Sequence, residues 1–571
     1  MSVLAYAAAV TLLAWAILTL QFVGLGLLAL RAVGHRPALA EDGFTAFWLG
    51  FAVSIAHLQI VSLFLPVSVA SMVPLIGVSL VGFAANRNTL VDILRWAGRS
   101  RAKCATIAAL CPWAAVYAQS PLRVYDAGIY HLGSIRWAST YPVLPGLGNL
   151  GPAYGLNSSA FLYLAAASVA NVNGFHIALG LLVLVLLIEV SLLASRLLKR
   201  NDARRSQSET YLAALLVLPI LVMAGTAGFS TTIYDIVNFV LAIIISRQLL
   251  DLLGQRQIRP TEALPRVFTI ACLASAAITS KISIAVFSAA TVSLAMVAAY
   301  CTTRSRRASV AYLAIVIVPG IVVVGPWLLR NTILTGYPLY PDPSLALTFD
   351  WSMPVAQVRG YRDVLYDFAR LRGEQHHAGA SRTLEWMSPW LRMSWRDVLA
   401  PGLFAAATPI AVFVGAPGLT HRLGRRWLVL VPIWLGLVAW FVTAPDPRYA
   451  GSLLWLAAAV PVAFLLPSLG RAKRLTLLVL FCAGVEMPNG GALLALVELP
   501  AAALQGQFTA ADDIPRVPLT VFTTVSGLRV FVPDDGGDQV WDAPLPSTPY
   551  PNTALRLRCP DTLACGFATQ P

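Results

Sequence analysis

The stretch RVYDAGIYHLGSIRWASTYPVLPGLGNLGPAYGLNSSAFLY, residues 123–163, interrupts a chain that is otherwise an almost continuous series of apolar runs. It carries an acid, a histidine, two arginines and several tyrosines among Pro/Gly turns. It follows a predicted membrane span, and polar groups beside the hydrocarbon of a bilayer cost free energy unless they are paired or bound. We therefore predict that the loop between Pro121 and Tyr163 forms the floor of a functional site.

The composition around this loop is typical of a membrane protein. The 571 residues are 57% hydrophobic and only 12% charged, which is about half the charged fraction of ordinary soluble proteins. Apolar runs recur from Val3 to Met487. They predict an all-α polytopic membrane protein with about 14 transmembrane helices, extracytoplasmic loops and a small, mostly β C-terminal appendage. The predicted spans are 3–30, 44–65, 67–85, 104–119, 173–195, 210–229, 231–249, 263–279, 282–300, 309–328, 402–418, 428–444, 450–467 and 475–489.

The positive charge of the chain follows this layout. A net charge of +14 would suggest a nucleic-acid partner in a soluble protein, but the sequence shows no array of basic and aromatic residues of that kind. More than half of the 41 Lys and Arg residues fall in short segments on one side of the predicted spans. Because basic residues concentrate in cytoplasmic loops, both termini are predicted to lie outside. The basic segments are 31–43, 86–103, 196–209, 247–266, 301–308, 419–427 and 469–474.

This topology divides the chain into three parts. N-terminal transmembrane helices occupy residues 1–100, and a transmembrane core with outer loops 120–172 and 329–401 occupies 101–487. The region 488–571 is predicted to be extracytoplasmic, with strand-like runs between turn signals.

Two details of this layout stay open in the sequence. The apolar segment 156–170 is short, so it either enters the membrane or lies at its surface. Cys559 and Cys565 lie together in the C-terminal region, where a disulfide is consistent with an oxidising compartment.

Asp126 is the first candidate for chemistry. It lies a few residues beyond a predicted span, and a carboxylate in a partly buried cavity can act as a general base. The alternative is an interfacial acid paired with Arg123 or Arg136. His131 either orients Asp126, binds a phosphate or simply packs, whereas the two arginines either bind an anion or extend to lipid headgroups.

Asp235 and Lys281 are charges at the ends of predicted spans. Asp235 lies one turn into a span that begins with the polar residues STTIY (230–234). An acid at that depth is a functional candidate, although a helix N-terminus also favours an acid through its dipole. Lys281 is the only charge between two spans that almost no loop separates, and it either holds a phosphate or snorkels.

Arg330 and Arg448 are the corresponding basic candidates in the second half. Arg330 follows a predicted span end directly, and Asn331 can add a hydrogen bond. Arg448 lies in a Pro-rich turn between two spans, where a local ion pair with Asp446 is the alternative to a role in binding.

The sequence provides little basis for a metal site. His376 and His377 lie near Glu374, but adjacent histidines without further ligands at defined spacing seldom bind a metal. The cofactor therefore stays unknown. Two acids fit an enzyme with or without a divalent metal, and a metal-free site is the expectation.

Four segments resemble motifs of the GT-C superfamily of integral-membrane glycosyltransferases. YDAGIYHL (125–132), which Trp137 follows, resembles their first catalytic loop, and SKIS (280–283) resembles a Lys-x-Ser element of bacterial members. PWLLRNTILTGYPLYP (326–341) resembles their Pro-Trp, Arg-Asn and Thr-Gly-Asn-Pro-x-Tyr-Pro segment, with Tyr337 where Asn is common. APDPRY (444–449) is similar to their late Arg-Tyr motif. One departure is that four predicted spans precede the first loop, whereas many members have one.

The resemblance implies an enzyme of the bacterial inner membrane that uses a polyprenyl-phosphate-linked sugar on the periplasmic side, in cell-envelope glycosylation. It implies Asp126 as the catalytic base and Asp235 as a second acid, which assists the base or binds a metal. Lys281, Arg330 and Arg448 would bind the donor phosphate. The substrate-binding residues would be Tyr130, His131, Arg136, Asn331, Tyr340 and Tyr449.

The leading hypothesis is therefore an inverting glycosyltransferase that moves a sugar from a polyprenyl-phosphate donor to a hydroxyl of a glycan, lipid or protein acceptor. Membrane lipid is a further expected partner, and nucleic acid is not. The alternative is a transporter or flippase of a lipid-linked or anionic solute, with Asp126 and Asp235 as proton-coupled groups. A non-catalytic scaffold would leave Asp126 without a role.

Overall fold

The protein is described here from a computed structural model. The structure describes residues 3–37, 39–86, 101–198, 204–255, 259–303, 306–371, 384–415, 423–486, 489–504 and 514–569. Most of these residues are helical. The α-helices are Val3–Ala32, Leu39–Ser62, Val73–Ala85, Arg101–Tyr117, Leu132–Thr140, Ser159–Ala166, Ala178–Ala194, Arg204–Ala227, Asp235–Gly254, Pro260–Ser280, Ala285–Thr303, Arg306–Pro319, Gly325–Thr335, Val355–Leu371, Met387–Gly415, Leu430–Thr443, Pro447–Ala450, Leu453–Leu465, Arg471–Glu486 and Gly490–Leu504.

The multi-pass helical architecture that the composition predicts is confirmed. Within the described ranges, nine helical segments are long and apolar enough to cross a membrane, and a bent pair, Arg471–Glu486 with Gly491–Ala502, raises the number to ten if it counts as one span. The nine are Val3–Ala32, Asp42–Ser62, Gly174–Leu197, Gln207–Ala227, Asp235–Gly254, Thr261–Ser280, Ile282–Cys301, Val310–Thr335 and Arg426–Thr443.

The number of such helices is lower than the predicted figure of about 14 because several predicted spans fall on shorter helices. Three apolar helices, Val69–Ala85, Cys104–Tyr117 and Leu453–Ser468, have only 10–17 residues, and about 20 are needed to cross a hydrocarbon core. The open segment 156–170 forms the eight-residue helix Ser159–Ala166, which is too short to cross.

The first two helices pack at unusually close range because glycines line their contact. A Cβ atom on Gly26 would lie 1.8 Å from the carbonyl oxygen of Ala46, and one on Gly50 would lie 1.8 Å from that of Phe22. Only a residue without a side chain allows this approach. The aromatic rings of Phe22, Phe47 and Phe51 fill the adjoining space in edge-to-face contacts.

The two long polar loops and the C-terminal region pack together at one end of the helical bundle. Tyr154 of the first loop donates to the carbonyl of Ser547 at 3.0 Å. Asp350 of the second loop forms an ion pair with Arg558 at 2.8 Å. The second loop, residues 329–401, also contains the amphipathic helix Val355–Leu371, which buries Val358, Ala369, Arg370 and Leu371.

The C-terminal region begins with a helix and continues as short strands. Gly490–Leu504 packs on Arg204–Ala227, where a Cβ atom on Gly225 would lie 1.9 Å from the carbonyl oxygen of Ala492. Strands Leu519–Thr523 and Arg529–Pro533 are antiparallel, with Leu519 opposite Pro533. Strands Leu555–Leu557 and Phe567–Thr569 form a second antiparallel pair. Cys559 and Cys565 form a disulfide, which answers the question that the sequence left open.

Candidate functional site

Four charged side chains lie at helix ends that converge beside the first polar loop. Asp126 precedes a π-helical turn, Ala127–His131, and Asp235 is the first residue of the helix Asp235–Gly254. Turns of this kind are frequent at functional sites. A carboxylate at a helix N-terminus is stabilised by the unpaired N–H groups there.

The two cations are placed by breaks between helices. Lys281 ends Pro260–Ser280 with an extended backbone, φ −157° and ψ 125°, which a helix cannot continue. Arg448 lies in the short helix Pro447–Ala450, whose first turn Asp446 caps by accepting from the Arg448 backbone N–H at 2.9 Å. The local cap explains why Asp446 and Arg448 are neighbours in sequence, while the Arg448 guanidinium extends to other acids.

These four side chains form a chain of alternating charge, here called the charge cluster. Arg448 Nη1 lies 3.2 Å from Asp126 Oδ2, and Arg448 Nε lies 3.8 Å from Asp235 Oδ2. Lys281 Nζ lies 2.6 Å from Asp235 Oδ1. The partner of Asp126 is thus Arg448, rather than the Arg123 or Arg136 that a local pairing would use.

The charge cluster is partly accessible at one end and buried at the other. The side chains of Lys281 and Asp235 are each 14% exposed, whereas those of Asp126 and Arg448 are 24% and 37% exposed. Burial lowers the pKa of Lys281, and Asp235 opposes that effect only in part. Burial also disfavours the charged form of Arg448, but Asp235 and Asp126 reverse this and the pKa of Arg448 lies above its usual value.

Aromatic side chains surround the cations. Lys281 Nζ lies 3.4 Å from the centroid of the Tyr449 ring and 5.3 Å from that of Tyr234, distances at which a cation is attracted to the π-face. Tyr130 and Tyr234 share a hydrogen bond of 3.1 Å between their hydroxyls. Tyr130 and Tyr449, both predicted as substrate-binding residues, therefore lie beside the charge cluster.

His131 is buried under these aromatic rings. Its Nδ1 forms a 2.8 Å hydrogen bond with Thr232 Oγ1, so His131 contacts the segment that precedes the helix of Asp235. Burial lowers the pKa of His131 well below its usual value, and the charges of Arg448 and Lys281 add to this effect. A neutral imidazole at this position leaves no net charge to compete with the cations.

Three predicted site residues make other contacts. Arg136 forms an ion pair with Asp542 at 2.6 Å and donates to the Ala543 carbonyl. Asn331 donates to the Pro338 carbonyl at 2.8 Å. Tyr340 donates to the Pro152 carbonyl at 2.8 Å. These residues hold the polar segments together around the site.

Arg330 lies apart from Lys281 and Arg448. The sequence predicted a span end at residue 328, but a π-helical turn, Gly320–Val324, joins a helix that continues to Thr335. Arg330 is thereby inside the helix and 7% exposed. It lines a separate cavity with Trp137 and Phe161, so the three predicted phosphate-binding cations do not form one group.

The sequence did not predict two features beside Asp126. Tyr361 comes from the amphipathic helix Val355–Leu371. Burial raises the pKa of this tyrosine, and Tyr449 and Asp126 raise it further. Tyr361 also stacks on Tyr340 with a centroid distance of 6.1 Å. The amphipathic pattern of the helix indicates a surface location, but it contains no information about which face meets the site.

The second unpredicted feature is the contact of the C-terminal segment 538–543 with the Asp126 loop. The Gly128 carbonyl accepts from the backbone N–H groups of Val540 at 2.8 Å and Trp541 at 3.0 Å. The Tyr125 hydroxyl donates to Asp538. The sequence pattern predicts neither contact, because the partners are more than 400 residues apart.

The charge cluster does not fit a divalent metal ion. Arg448 and Lys281 already neutralise the two carboxylates, and a metal site needs free oxygen ligands. The described residues contain no group of three or more His, Cys, Asp or Glu side chains that could hold a metal. His376, His377 and Glu374 lie outside the described residues.

Comparison with known proteins identifies a family without an assigned activity. No curated protein and no solved structure matches the chain. The family model that matches covers residues 9–455, a range that contains Asp126, Asp235, Lys281 and Arg448. On this extent of the match, the chain belongs to the family described as a domain of unknown function (DUF8201).

Proposed function

We propose that this protein is an inverting glycosyltransferase of the GT-C type, which moves a sugar from a polyprenyl-phosphate donor to an acceptor hydroxyl. The observation that carries the proposal is the charge cluster. Four segments that are separated by up to 322 positions in sequence bring two acids and two cations into contact beside a polar loop. Sugar transfer from a phosphate is accelerated by a base at the attacking hydroxyl and by cations at the departing phosphate.

The residue that accepts the proton in this proposal is Asp126. Its Oδ2 is held by Arg448 at 3.2 Å, while the side chain is 24% exposed and so accessible to an acceptor. The acceptor oxygen attacks the anomeric carbon from the face opposite the phosphate, and its proton passes to the Asp126 carboxylate. The bond between the anomeric carbon and the phosphate oxygen breaks, and its electron pair leaves with the polyprenyl phosphate.

Lys281 and Arg448 stabilise the departing phosphate. Negative charge grows on the phosphate oxygen as the bond breaks, and fixed cations at that point lower the barrier. Asp235 holds both cations, Lys281 at 2.6 Å and Arg448 at 3.8 Å, and is here a positioning residue. The tyrosine rings of Tyr449 and Tyr234 provide faces on which a sugar ring can stack.

The same proposal includes a topology and a location. The bundle would have about 14 spans if the shorter apolar helices also cross or enter the bilayer. Both termini and the charge cluster would lie on the periplasmic side of a bacterial inner membrane. The polyprenyl tail would lie between helices in the bilayer, and the acceptor would be a glycan, a lipid or a protein.

The test is sugar transfer from a polyprenyl-phosphate donor pool by the purified full-length protein in detergent. Asp126→Asn keeps the shape of the side chain but removes its basicity, so transfer is expected to fall by about 100- to 10,000-fold while donor binding stays. Asp350→Asn is the matched control, because Asp350 is an exposed acid paired with Arg558. Equal transfer by wild type and Asp126→Asn would overturn the assignment of the base.

One observation favours the transporter alternative. Glu189 and Arg247 form an ion pair inside the bundle, and Trp48 Nε1 donates to Glu189 at 2.8 Å. Arg247 lies 12 residues after Asp235 on the same helix, which corresponds to about 18 Å along its axis. If wild type binds the lipid-linked sugar, moves it between leaflets and never cleaves the sugar–phosphate bond, the transporter replaces the enzyme.

A further inference from the structure

A second polar site lies beside Phe161, a residue that also contacts the aromatic side chains around the charge cluster. The Phe161 ring contacts His131 at 5.2 Å and Tyr234 at 5.3 Å between centroids, and it also lines a cavity that contains Arg330. This Arg330 cavity has a volume of about 40 Å³, whereas a single water needs about 10–15 Å³ on the same measure. It therefore has room for a group of several atoms.

The guanidinium of Arg330 is buried without a counter-charge. Its side chain is 7% exposed, and its Nε and Nη1 have no hydrogen-bond partner among the described residues. No acid is among the residues that line the cavity. A buried charge whose N–H groups lack partners is unfavourable, and an anion supplied from outside the chain would pair with it.

Three other residues that line the same cavity each carry a buried polar atom without a partner. Ser134 Oγ and Trp137 Nε1, one turn apart on Leu132–Thr140, are buried without partners in the described part of the chain. So is Asn157 Oδ1, whose amide is oriented because Nδ2 donates to the Trp327 carbonyl at 3.0 Å. The unpaired donors, Arg330, Trp137 and the Ser134 hydroxyl, outnumber the single fixed acceptor.

This set of donors selects an oxyanion. The guanidinium presents several N–H groups in a planar fork that matches the oxygens of phosphate. Trp137 adds a neutral donor, and Asn157 Oδ1 can accept from a phosphate hydroxyl. The rest of the lining is mostly apolar, including Leu144 and Leu162, so water screens the interaction little.

We infer that the Arg330 cavity is a phosphate-binding site separate from the charge cluster. It takes the phosphoryl group either of a free phosphate or of a lipid headgroup. The inference does not require sugar transfer, because it rests only on the contacts of Arg330, Ser134, Trp137 and Asn157. It goes beyond the proposed function by giving the protein a second anion site in addition to the charge cluster.

The experiment is equilibrium dialysis of the purified full-length protein, in phosphate-free detergent buffer at pH 7, against radiolabelled orthophosphate. Wild type is expected to bind phosphate saturably. Arg330→Gln is expected to weaken binding by about 10- to 100-fold, because it removes charge-assisted hydrogen bonds. Arg558→Gln, which removes a cation that lies outside both the charge cluster and the cavity lining, is expected to leave phosphate binding unchanged.

Variants of the neutral donors test the same site by a route that does not depend on whether Arg330→Gln folds. Ser134→Ala and Trp137→Phe each remove one donor with little change of shape, and each is expected to weaken phosphate binding by about 2- to 10-fold. Phosphate is also expected to raise the unfolding temperature of wild type and not that of Arg330→Gln, since only a protein that binds the ligand is stabilised by it.

Competition with undecaprenyl phosphate in micelles distinguishes the two sources. Displacement of the radiolabel by the micellar lipid identifies a lipid headgroup, and retention of the label identifies a free phosphate. Both results support the site. Absence of saturable binding to wild type, or equal binding by wild type and Arg330→Gln, overturns it, and neither result depends on whether the protein transfers sugar.

Discussion

Lys281 and Asp235 lie 2.6 Å apart, Nζ to Oδ1, where one helix ends and another begins. The second oxygen of Asp235 faces Arg448 Nε at 3.8 Å, so one carboxylate serves two cations. Arg448 in turn reaches Asp126. Asp235 is therefore the centre of the charge cluster, and its removal would leave Lys281 without its ion-pair partner and Arg448 with Asp126 alone.

We expect substitutions of Lys281 and Asp235 to have non-additive effects on the free energy of unfolding. Lys281→Met leaves a largely buried carboxylate without its closest cation, and the loss of one partner of a buried pair costs about 3 kcal/mol. Asp235→Asn leaves Lys281 and Arg448 to repel each other at a similar cost. In the double variant Lys281→Met/Asp235→Asn both charges are absent, so the loss should be clearly smaller than the sum of the single losses.

The measurement is the free energy of unfolding of the four proteins in mild detergent. The pair Arg362 and Asp363, which is half-exposed at 3.0 Å, provides a control cycle in which a coupling of less than about 1 kcal/mol is expected. Additive losses at Lys281 and Asp235 would show that the two charges act independently.

Arg448→Lys is expected to abolish the bridge between the two acids even though it keeps the positive charge. Arg448 uses Nη1 for Asp126 and Nε for Asp235, and a lysine has one nitrogen on a flexible stem. If the proposed reaction holds, transfer should fall by about tenfold or more, the equivalent of about 1.4 kcal/mol of transition-state stabilisation. Steady-state kinetics of sugar transfer measure the change.

The matched control for this substitution is Arg558→Lys. Arg558 also contacts a carboxylate, that of Asp350, through two nitrogens, but it lies in the C-terminal region outside the charge cluster. A loss in Arg558→Lys as large as that in Arg448→Lys would contradict a specific bridging role for Arg448.

The ends of apolar runs made part of this site predictable. Asp235 lies one turn into a predicted span, Lys281 lies between two spans, and Asp126 and Arg448 lie within a few residues of a span. Because helices of similar length place their ends at two levels, charges at the same predicted level are candidates for contact. The pairing itself was not predictable, since Asp126 had nearer arginines in sequence than Arg448.

Arg330 and the C-terminal contacts show where prediction from the sequence stops. A helix that continues past residue 328 turns Arg330 into the protein, and hydropathy places the end of an apolar run but not the end of the helix. Arg136 contacts both the carboxylate and the backbone carbonyl of Asp542, which lies 406 positions away in sequence. Contacts of this kind depend on tertiary packing. They leave no local pattern in a single sequence from which they could be predicted.

His131 is expected to make the protein less stable in acid. Burial lowers the pKa of His131 well below its usual value, with Arg448 and Lys281 adding to the effect, so the unfolded chain binds a proton more readily than the folded one. The free energy of unfolding should therefore fall as the pH drops below about 6.5, with a slope of up to about 1.4 kcal/mol per pH unit from this group.

His131→Asn removes the titrating group and keeps a side chain that can bond Thr232. The free energy of unfolding of this variant, measured from pH 7.5 to pH 5, should fall less steeply than that of wild type. His35→Asn is the control, because His35 lies outside the charge cluster in contact with Asp42. Equal slopes for wild type and His131→Asn would contradict a neutral buried His131.

Gly128→Ala is expected to separate the C-terminal segment from the Asp126 loop. The added Cβ would lie 2.8 Å from Trp541 Cε2 and 3.0 Å from Gln539 Cβ, so the two segments must move apart at a cost of about 1–3 kcal/mol. Gly77→Ala meets no atom within 4 Å and should be neutral or stabilising, because alanine favours a helix over glycine. Limited proteolysis of the C-terminal region and unfolding in detergent measure the effect.

Trp541→Ala, combined with Gly128→Ala, should recover part of the lost stability by removing the clash. Equal behaviour of Gly128→Ala and Gly77→Ala would mean that the contact with Trp541 does not hold the loop of Asp126.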